Sequence, residues 1–213
     1  MPRVDDYKTA FEIAAKKLRG LDPEKVAELS GAKLAGNALR LRFVDQDCAV
    51  HLDPVSVEET SGGEVALTDQ VLILHYLIQG DGRLPSGEWI AYREVPGAQT
   101  YQPVFYKRAI APLKEAFGQR PELLTSLTEH LAPAPGQGGD ASVIIPAFPR
   151  TPVMLIVWNG DDEFPPEANI LFDKSITGYL TAEDIAWLAG RIVYFLAGMA
   201  RKTGAAHEAG SER

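Results

Sequence analysis

The chain has 213 residues, 46% of them hydrophobic and 23% charged, and a net charge of −8 at pH 7. These values are those of a globular protein of one or two domains, and they argue against nucleic acid and anionic membranes as partners, because the 21 Lys and Arg residues are spread along an acidic chain. One cysteine, Cys48, excludes an intramolecular disulfide, a CxxC redox pair, and a zinc or self-held iron–sulfur site built from thiolates.

The first elements are two helices and a β-hairpin. Apolar residues at helical spacing predict a helix over residues 4–18, and Asp22 followed by Pro23 predicts the start of a second helix that ends near Leu29. Alternating apolar residues then predict two paired strands around a turn centred between Asp45 and Gln46. This turn gives three apolar pairs: Phe43 with Cys48, Leu41 with Val50, and Leu39 with Leu52.

A helix that is apolar on almost every side follows over Asp69–Gln79, with Thr68 as the predicted N-cap. Such a helix is expected at the centre of a fold, covered on all sides. His75 lies within it.

The second half of the chain predicts short strands between helices. After the last strand, the sequence Thr181-Ala-Glu-Asp is a variant of the capping box and predicts the start of a long final helix with one apolar stripe. In chain order, the predicted elements before it are a strand over Glu88–Val95, helices near Val104–Phe117 and Pro121–Leu131, a mobile Pro/Gly linker over Pro133–Gly139, and strands at Val143–Ile145, Val153–Trp158 and Ile170–Phe172.

Strands early and late in the chain, with helices grouped between and after them, predict an α+β fold. We expect a mostly antiparallel sheet packed against the buried central helix and the long C-terminal helix. Residues 1–201 are predicted to form a single α+β domain, and residues 202–213 a polar, disordered tail.

The loop from Asn159 to Asp173, at the rim of a buried strand, carries several carboxylates, and those of Asp161, Asp162, Glu163 and Asp173 are the candidate site residues. They form a metal or acid–base site if the loop folds back so that they converge. The favoured interpretation is a solvated turn that keeps an edge strand soluble. A third is that the carboxylates accept hydrogen bonds from Arg93 or from backbone amides. An EF-hand is excluded because Phe164 stands where that loop needs glycine.

Two further features are candidates for a ligand site. His75 is a possible metal or tetrapyrrole ligand or general base, although a lone histidine in an apolar helix is more often structural. In the strand that follows, Trp89, Tyr92 and Arg93, with Glu94 beside them, are positioned to line a pocket for an anion or a planar ligand. The alternative is ordinary cross-strand packing with a surface Arg–Glu pair.

Standard catalytic and nucleotide-binding motifs are missing, including GxxxxGK[ST], GxGxxG, HExxH and GxSxG. The N-terminus lacks the apolar core of a signal peptide, and apolar runs are far shorter than the roughly 20 residues of a membrane helix. These features predict a cytoplasmic protein without a membrane partner.

Three groups of residues, in this order and spacing, resemble the family called domain of unknown function 3786. They are Leu74-His75-Tyr76-Leu77 with Gly87-Glu88-Trp89-Ile90-Ala91-Tyr92-Arg93-Glu94-Val95-Pro96-Gly97; Phe105 with Arg108 and Leu113; and Asp161-Asp162-Glu163-Phe164-Pro165 with Ile170-Leu171-Phe172-Asp173. The resemblance covers roughly Ala10 to Ala197. It implies a family found mainly in anaerobic prokaryotes, with no activity to carry over. Some relatives add an iron–sulfur domain like that of corrinoid proteins, which this single-cysteine chain lacks, so a corrinoid link is an analogy only.

Two functional hypotheses follow. The first is a non-catalytic binding or accessory module that takes a small molecule or a partner protein in a concavity shared by His75, Trp89, Tyr92, Arg93 and the acidic loop. The alternative is a metal-dependent hydrolase or transferase that uses the acidic loop. A protein adaptor would instead show an exposed apolar patch next to that loop. Cofactor, catalytic residues and oligomeric state are left open by the sequence.

Overall fold

Two antiparallel sheets organise the protein, and its computed structural model describes residues 4–211. The α+β class with antiparallel strands is confirmed. The strands form two sheets and not the single sheet that was expected. Alternation in the sequence shows which face of a strand is apolar, but it does not show which strands pair. The first sheet has the order β1-β2-β3-β4, with β1 Lys33–Ala35, β2 Ala38–Phe43, β3 Gln46–Leu52 and β4 Val55–Glu59. The second has the order β5-β9-β8-β7-β6, with β5 Trp89–Ala91, β6 Ala134–Pro135, β7 Ala141–Phe148, β8 Thr151–Trp158 and β9 Glu167–Asp173.

The helices occupy the ends and the middle of the chain. They are α1 Val4–Arg19, α2 Pro23–Ser30, α3 Leu67–Gln79, α4 Ala98–Phe105, α5 Ala111–Phe117, α6 Glu122–Thr128 and α7 Ala182–Ser211. A π-helical turn, Tyr106–Ile110, joins α4 to α5, and short 3-10 helices lie at Tyr92–Glu94, Glu129–Leu131 and Lys174–Gly178. No helix among the described residues is both long and apolar enough to span a bilayer.

The hairpin of β2 and β3 forms with the predicted faces but a different register. Leu39 pairs with Val50 and Leu41 with Cys48, a slip of two residues that leaves every side chain on its predicted face. The turn lies at Val44–Asp45, because Val44 is fixed by the second sheet: it is fully buried, has φ 50°, and its amide donates to the Ala147 carbonyl at 2.8 Å. Tertiary contacts therefore set this turn.

The central helix α3 is buried as predicted, but its start differs. It begins at Leu67 after Ala66, which makes no side-chain cap, so the prediction of Thr68 as N-cap was wrong. On its inner side, the Tyr76 ring stacks on Phe148 at 4.2 Å and on Tyr179 at 4.9 Å between ring centroids. Tyr76 also donates a hydrogen bond to the Ser30 carbonyl at 2.6 Å. These contacts join α3 to α2 and to the second sheet.

The predicted strand over Glu88–Val95 is shorter in the structure. Strand β5 ends at Ala91, where the Glu94 carboxylate accepts a hydrogen bond from the Ala91 amide at 2.7 Å and stabilises a 3-10 turn. The turn directs Tyr92 into the core, where it is buried. The helix predicted from Val104 begins earlier, at Ala98, and the predicted linker over Pro133–Gly139 contains β6.

The capping box at the start of α7 is confirmed. The Thr181 amide donates to Asp184 Oδ2 at 3.2 Å, and the Asp184 amide donates to Thr181 Oγ1 at 3.3 Å. The helix continues to Ser211, beyond the predicted start of the tail at residue 202; residues 212–213 lie outside the described part of the chain. One cluster of buried apolar side chains extends from Ala14 to Ala200.

Candidate functional site

The candidate site is centred on a contact between α3 and α7. His75 Nδ1 lies 2.8 Å from Asp184 Oδ1, although the two residues are 109 positions apart in sequence. The Asp184 side chain is 10% exposed, whereas the His75 side chain is 32% exposed. The carboxylate is therefore covered by protein while part of the imidazole ring faces outward.

Asp184 is held by several donors besides His75. Its other oxygen, Oδ2, accepts a hydrogen bond from the Thr181 hydroxyl at 2.7 Å as well as the one from the Thr181 amide. Burial acts to raise the pKa of Asp184, but the hydrogen bond and charge of His75, together with the Thr181 hydrogen bonds, outweigh burial and lower it below its ordinary value. Asp184 is therefore a carboxylate at neutral pH and accepts a hydrogen bond from the Nδ1–H group of His75.

This arrangement fixes the tautomer of the neutral imidazole. With the proton on Nδ1, the lone pair of His75 is on Nε2. Among the residues that the structure describes, none hydrogen-bonds to Nε2. His75 thus presents a nitrogen suited to accept a proton or bind a metal, held in place by a carboxylate behind it.

A pocket of about 160 Å³ adjoins His75 between α1, α3 and α7. Its walls combine apolar and polar residues. The lining residues are Tyr7, Ala10, Thr68, Val71, Leu72, His75, Glu183, Asp184 and Trp187. The volume lies below the roughly 300–1,000 Å³ of drug-sized pockets, so the pocket accommodates a small molecule or one group of a larger one.

Aromatic and charged side chains surround the pocket. The Tyr7 ring meets the Trp187 ring edge-on, with 5.8 Å between centroids. Arg108, on the π-helical turn, places its guanidinium 4.3 Å from the centroid of the Trp187 ring. Burial raises the pKa of Tyr7, and the positive charge of Arg108 offsets part of this rise. Tyr101 donates to Glu183 at 3.0 Å, and this hydrogen bond raises the pKa of Tyr101. Both tyrosines are therefore protonated donors at neutral pH.

The aromatic strand residues predicted for the site have separate positions. The Tyr92 hydroxyl donates to the Ala182 carbonyl at 2.8 Å, its ring stacks on Phe105 at 4.1 Å, and burial raises its pKa to about 12. Trp89 is half-buried on β5, and Arg93 and Glu94 are exposed. The structure therefore brings His75 and Tyr92 to the start of α7, but only His75 lines the pocket.

Asp173 is a buried structural carboxylate. It accepts hydrogen bonds from the amides of Ser86, Gly87 and Ser175, the shortest 2.6 Å from Gly87. Burial acts to raise the pKa of Asp173, but these hydrogen bonds outweigh burial and lower it. The carboxylate thus fixes the turn before β5 to the end of β9.

The remaining carboxylates of the acidic loop are exposed. Asp161 Oδ1 accepts hydrogen bonds from the amides of Glu163 at 2.9 Å and Phe164 at 2.6 Å, which is the backbone-amide arrangement considered from the sequence. Asp162 and Glu163 are exposed, and among the described residues Arg93 forms no hydrogen bond with the loop. The loop is attached through Gly160, whose amide donates to the Gly118 carbonyl at 3.0 Å.

The expected convergence of the four carboxylates does not occur. The loop precedes Glu167, at one end of β9, and Asp173 is at the other end, about 20 Å away at 3.3 Å per residue. Within the described residues, no group of three or more His, Cys, Asp and Glu side chains is placed to hold a metal ion. The pocket that His75 lines includes no residue of the acidic loop.

Two exposed aromatic side chains lie in or next to the acidic loop: Phe164, within it, is 67% exposed, and Trp158, directly before it, is 39% exposed. They are the exposed apolar residues that a protein adaptor would show. Exposed apolar residues of this number are common on monomeric proteins, so they favour no particular function.

Asp184, Glu183, Tyr7 and Trp187 were not identified as site residues from the sequence. Asp184 was recognised only as part of the capping box. Two sequence features could have identified Asp184 as a site residue. It directly precedes the buried stripe of α7 that begins at Ile185, and the aromatic residue Trp187 follows it by three positions. The pairing with His75 depends on the packing of two distant helices.

The family model for the domain of unknown function (DUF3786) matches residues 22–195 of the chain. No curated protein and no solved structure matches the chain significantly. The matched range contains His75, Asp184 and Trp187 but leaves out Tyr7. Since the match covers more than half of the sequence, the chain belongs to this family.

Proposed function

We propose that this member of the DUF3786 family is a binding module that takes a small molecule in the pocket beside His75. The observation that carries the proposal is the 2.8 Å contact between His75 and Asp184 at the edge of that pocket. A buried carboxylate that orients an imidazole is the arrangement by which proteins prepare a histidine for a ligand or a proton.

The lining residues indicate what such a ligand looks like. Trp187, Val71 and Leu72 provide apolar and aromatic surface, whereas His75 and Glu183 provide polar groups. A ligand with a flat apolar part and one hydrogen-bond donor matches both, since Nε2 is an acceptor in the imidazole tautomer that carries its proton on Nδ1. A ligand with a free amine is also matched, by Glu183.

A corrinoid remains a candidate through the family analogy alone. Its ring is too large for a pocket of about 160 Å³, so a corrinoid would meet His75 only at the pocket mouth. Cobalamin is for this reason a probe in the test and not the expected ligand. The alternative of a metal-dependent hydrolase or transferase gains no support from the loop carboxylates, which lie apart from Asp173.

The test is a ligand-observed NMR screen with small aromatic alcohols, amines and acids, and with cobalamin as a separate probe. We expect binding by the wild-type protein that is lost in His75→Ala and Trp187→Ala. His51→Ala is the matched control, because His51 lies on β3 beside Glu58 at 3.5 Å, away from the pocket. Absence of any hit for the wild type, or hits that persist in both pocket variants, would refute the proposal.

We also propose that the protein acts in the cytoplasm. The support is its single cysteine, which is unpaired and buried, since secreted domains commonly use paired cysteines. Cell fractionation of a tagged protein tests this location, and recovery with an extracytoplasmic fraction would contradict it.

A further inference from the structure

A groove next to the first sheet has three basic side chains among its nine lining residues. Its volume is about 490 Å³, and it lies between β1, β2 and the turn that contains Pro149. Lys33, Arg40 and Arg42 line it, with Asp47 as its carboxylate. This concentration of positive charge stands out in a chain whose net charge is −8.

Two of these basic residues face each other directly across a strand pair. Lys33 on β1 is the register partner of Arg40 on β2, and both are exposed. Like charges at directly opposed positions destabilise a sheet. Neither side chain forms an ion pair with any residue that the structure describes, so the repulsion has no internal compensation there.

The carboxylate in the groove is already engaged. Asp47 Oδ2 lies 3.2 Å from the Arg42 guanidinium, which also donates to the Val44 carbonyl at 3.1 Å. This pair leaves Lys33 and Arg40 as the two basic groups available to an anion. Arg42 contributes charge at the edge of the groove and is partly neutralised.

A further guanidinium lies behind the groove. Arg150 donates to the carbonyls of Glu28 and Gly82, both at 2.6 Å, and forms no ion pair within the described residues. A β-carbon at Gly31, which lines the groove, would be 3.1 Å from Arg150 Nε. The positive charge of Arg150 is therefore close to the groove wall, and neutral carbonyls do not cancel it.

We propose that this groove binds a small phosphorylated molecule, with its phosphate between Lys33 and Arg40. A phosphate with two negative charges would turn the repulsion between the two side chains into a pair of favourable contacts. The guanidinium would provide parallel donors and the ammonium a point charge. This site is separate from the His75 pocket, and its test does not depend on the ligand of that pocket.

The test measures the thermal stability of the wild type and of Lys33→Gln/Arg40→Gln at fixed ionic strength, with and without sodium pyrophosphate. We expect pyrophosphate to raise the Tm of the wild type and to leave that of the double variant unchanged. Without pyrophosphate and at low salt, we expect Arg40→Gln to have a higher Tm than the wild type, because the repulsion is removed. If Arg40 had a purely structural role, Arg40→Gln would instead have a lower Tm than the wild type.

Lys16→Gln/Lys17→Gln on α1 is the matched control, since both lysines are exposed, and it should keep the wild-type response. Backbone NMR of the wild type provides a second measurement, with pyrophosphate expected to shift the Lys33 and Arg40 amides. Adenosine diphosphate and citrate are the comparison ligands. Stabilisation of the double variant equal to that of the wild type, or no wild-type response, would overturn the site. An equal response to citrate would overturn its assignment to phosphate.

Discussion

Carboxylates at two regions of this molecule have contrasting surroundings. Asp173 and Asp184 are buried, and each accepts several hydrogen bonds that lower its pKa. Asp161, Asp162 and Glu163 lie exposed on the acidic loop, where the hydrogen bonds of Asp161 come from the loop itself. The loop is the more conspicuous feature in the sequence, yet Asp173 and Asp184 are the carboxylates that connect segments distant in the chain. A cluster of charges in sequence is thus a weaker guide to a site than the donors gathered around one carboxylate.

Among the variants considered, Asp173→Ala should lower the free energy of unfolding the most, which tests the contrast between buried and exposed carboxylates. The substitution leaves the amides of Ser86, Gly87 and Ser175 without their common acceptor, at a cost of about 3 kcal/mol in the free energy of unfolding. Urea denaturation measures the change. Asp162→Ala on the exposed loop is the control, and we expect it to change stability by no more than about 0.5 kcal/mol. Equal effects of the two variants would show that burial does not distinguish the two regions.

Asp184→Asn should have the next largest effect, about 2 kcal/mol at pH 7, because a hydrogen bond between charged or strongly polar groups is lost. The effect should depend on pH. The folded-state pKa of Asp184 is lowered, so its contribution is present above the unfolded value of about 3.9 and is lost as the pH falls through the lower folded value.

The measurement is the stability difference between wild type and Asp184→Asn, taken from pH 7 down to pH 3. We expect the difference to decrease below about pH 4, as Asp184 becomes protonated. His51→Gln serves as the control for general acid effects. A difference that grows as the pH falls below about 4 would contradict the assigned direction of the shift.

Gly160→Ala should test how firmly the acidic loop is attached. A β-carbon there would lie 2.7 Å from Gln119 Nε2 and 2.7 Å from Pro166 Cδ. The resulting overpacking should destabilise the protein by about 1 kcal/mol. Hydrogen exchange should show faster opening of residues 159–166 with little change at α7. Gly36→Ala is a useful comparison, since a β-carbon at Gly36 has no neighbour within 4 Å but the residue has φ 59°. Uniformly faster exchange across the fold would instead show that the loop is part of the core.

Asp161→Asn should have the smallest effect, about 0.5 kcal/mol or less, because its hydrogen bonds are exposed and an amide oxygen can accept them in part. Chemical shifts of the Glu163 and Phe164 amides would report the local change. A loss of stability close to that of Asp173→Ala would mean that the loop and the buried region contribute alike.

Local sequence patterns predicted much of the architecture. The apolar residues of α3 predicted a buried helix, and Thr181 with Asp184 predicted the start of α7, because both depend on neighbours within a few positions. The hairpin faces followed from alternation, but its register did not. The position of the turn was fixed by Val44, whose amide bonds to Ala147 in the other sheet.

The candidate site was predicted only in part: among the candidate residues of the sequence, His75 lines the pocket. Tyr92 reaches the start of α7 because β5 ends early, an effect of the Glu94 carboxylate on the Ala91 amide. The predicted association of Asp173 with the loop failed because the seven residues of β9 separate them. In an extended strand, residues that are only a few positions apart in sequence lie far apart in space.

The sequence by itself determined the period of each element, the apolar faces, the ends of several helices and the family. Only the tertiary structure decided which polar groups meet, since His75 and Asp184 are 109 positions apart and their contact requires α3 and α7 to pack side by side. The same holds for Lys33 opposite Arg40, which depends on strand register. Local propensities act over a few residues, whereas the pairing of distant charges follows from how the whole chain buries its apolar surface.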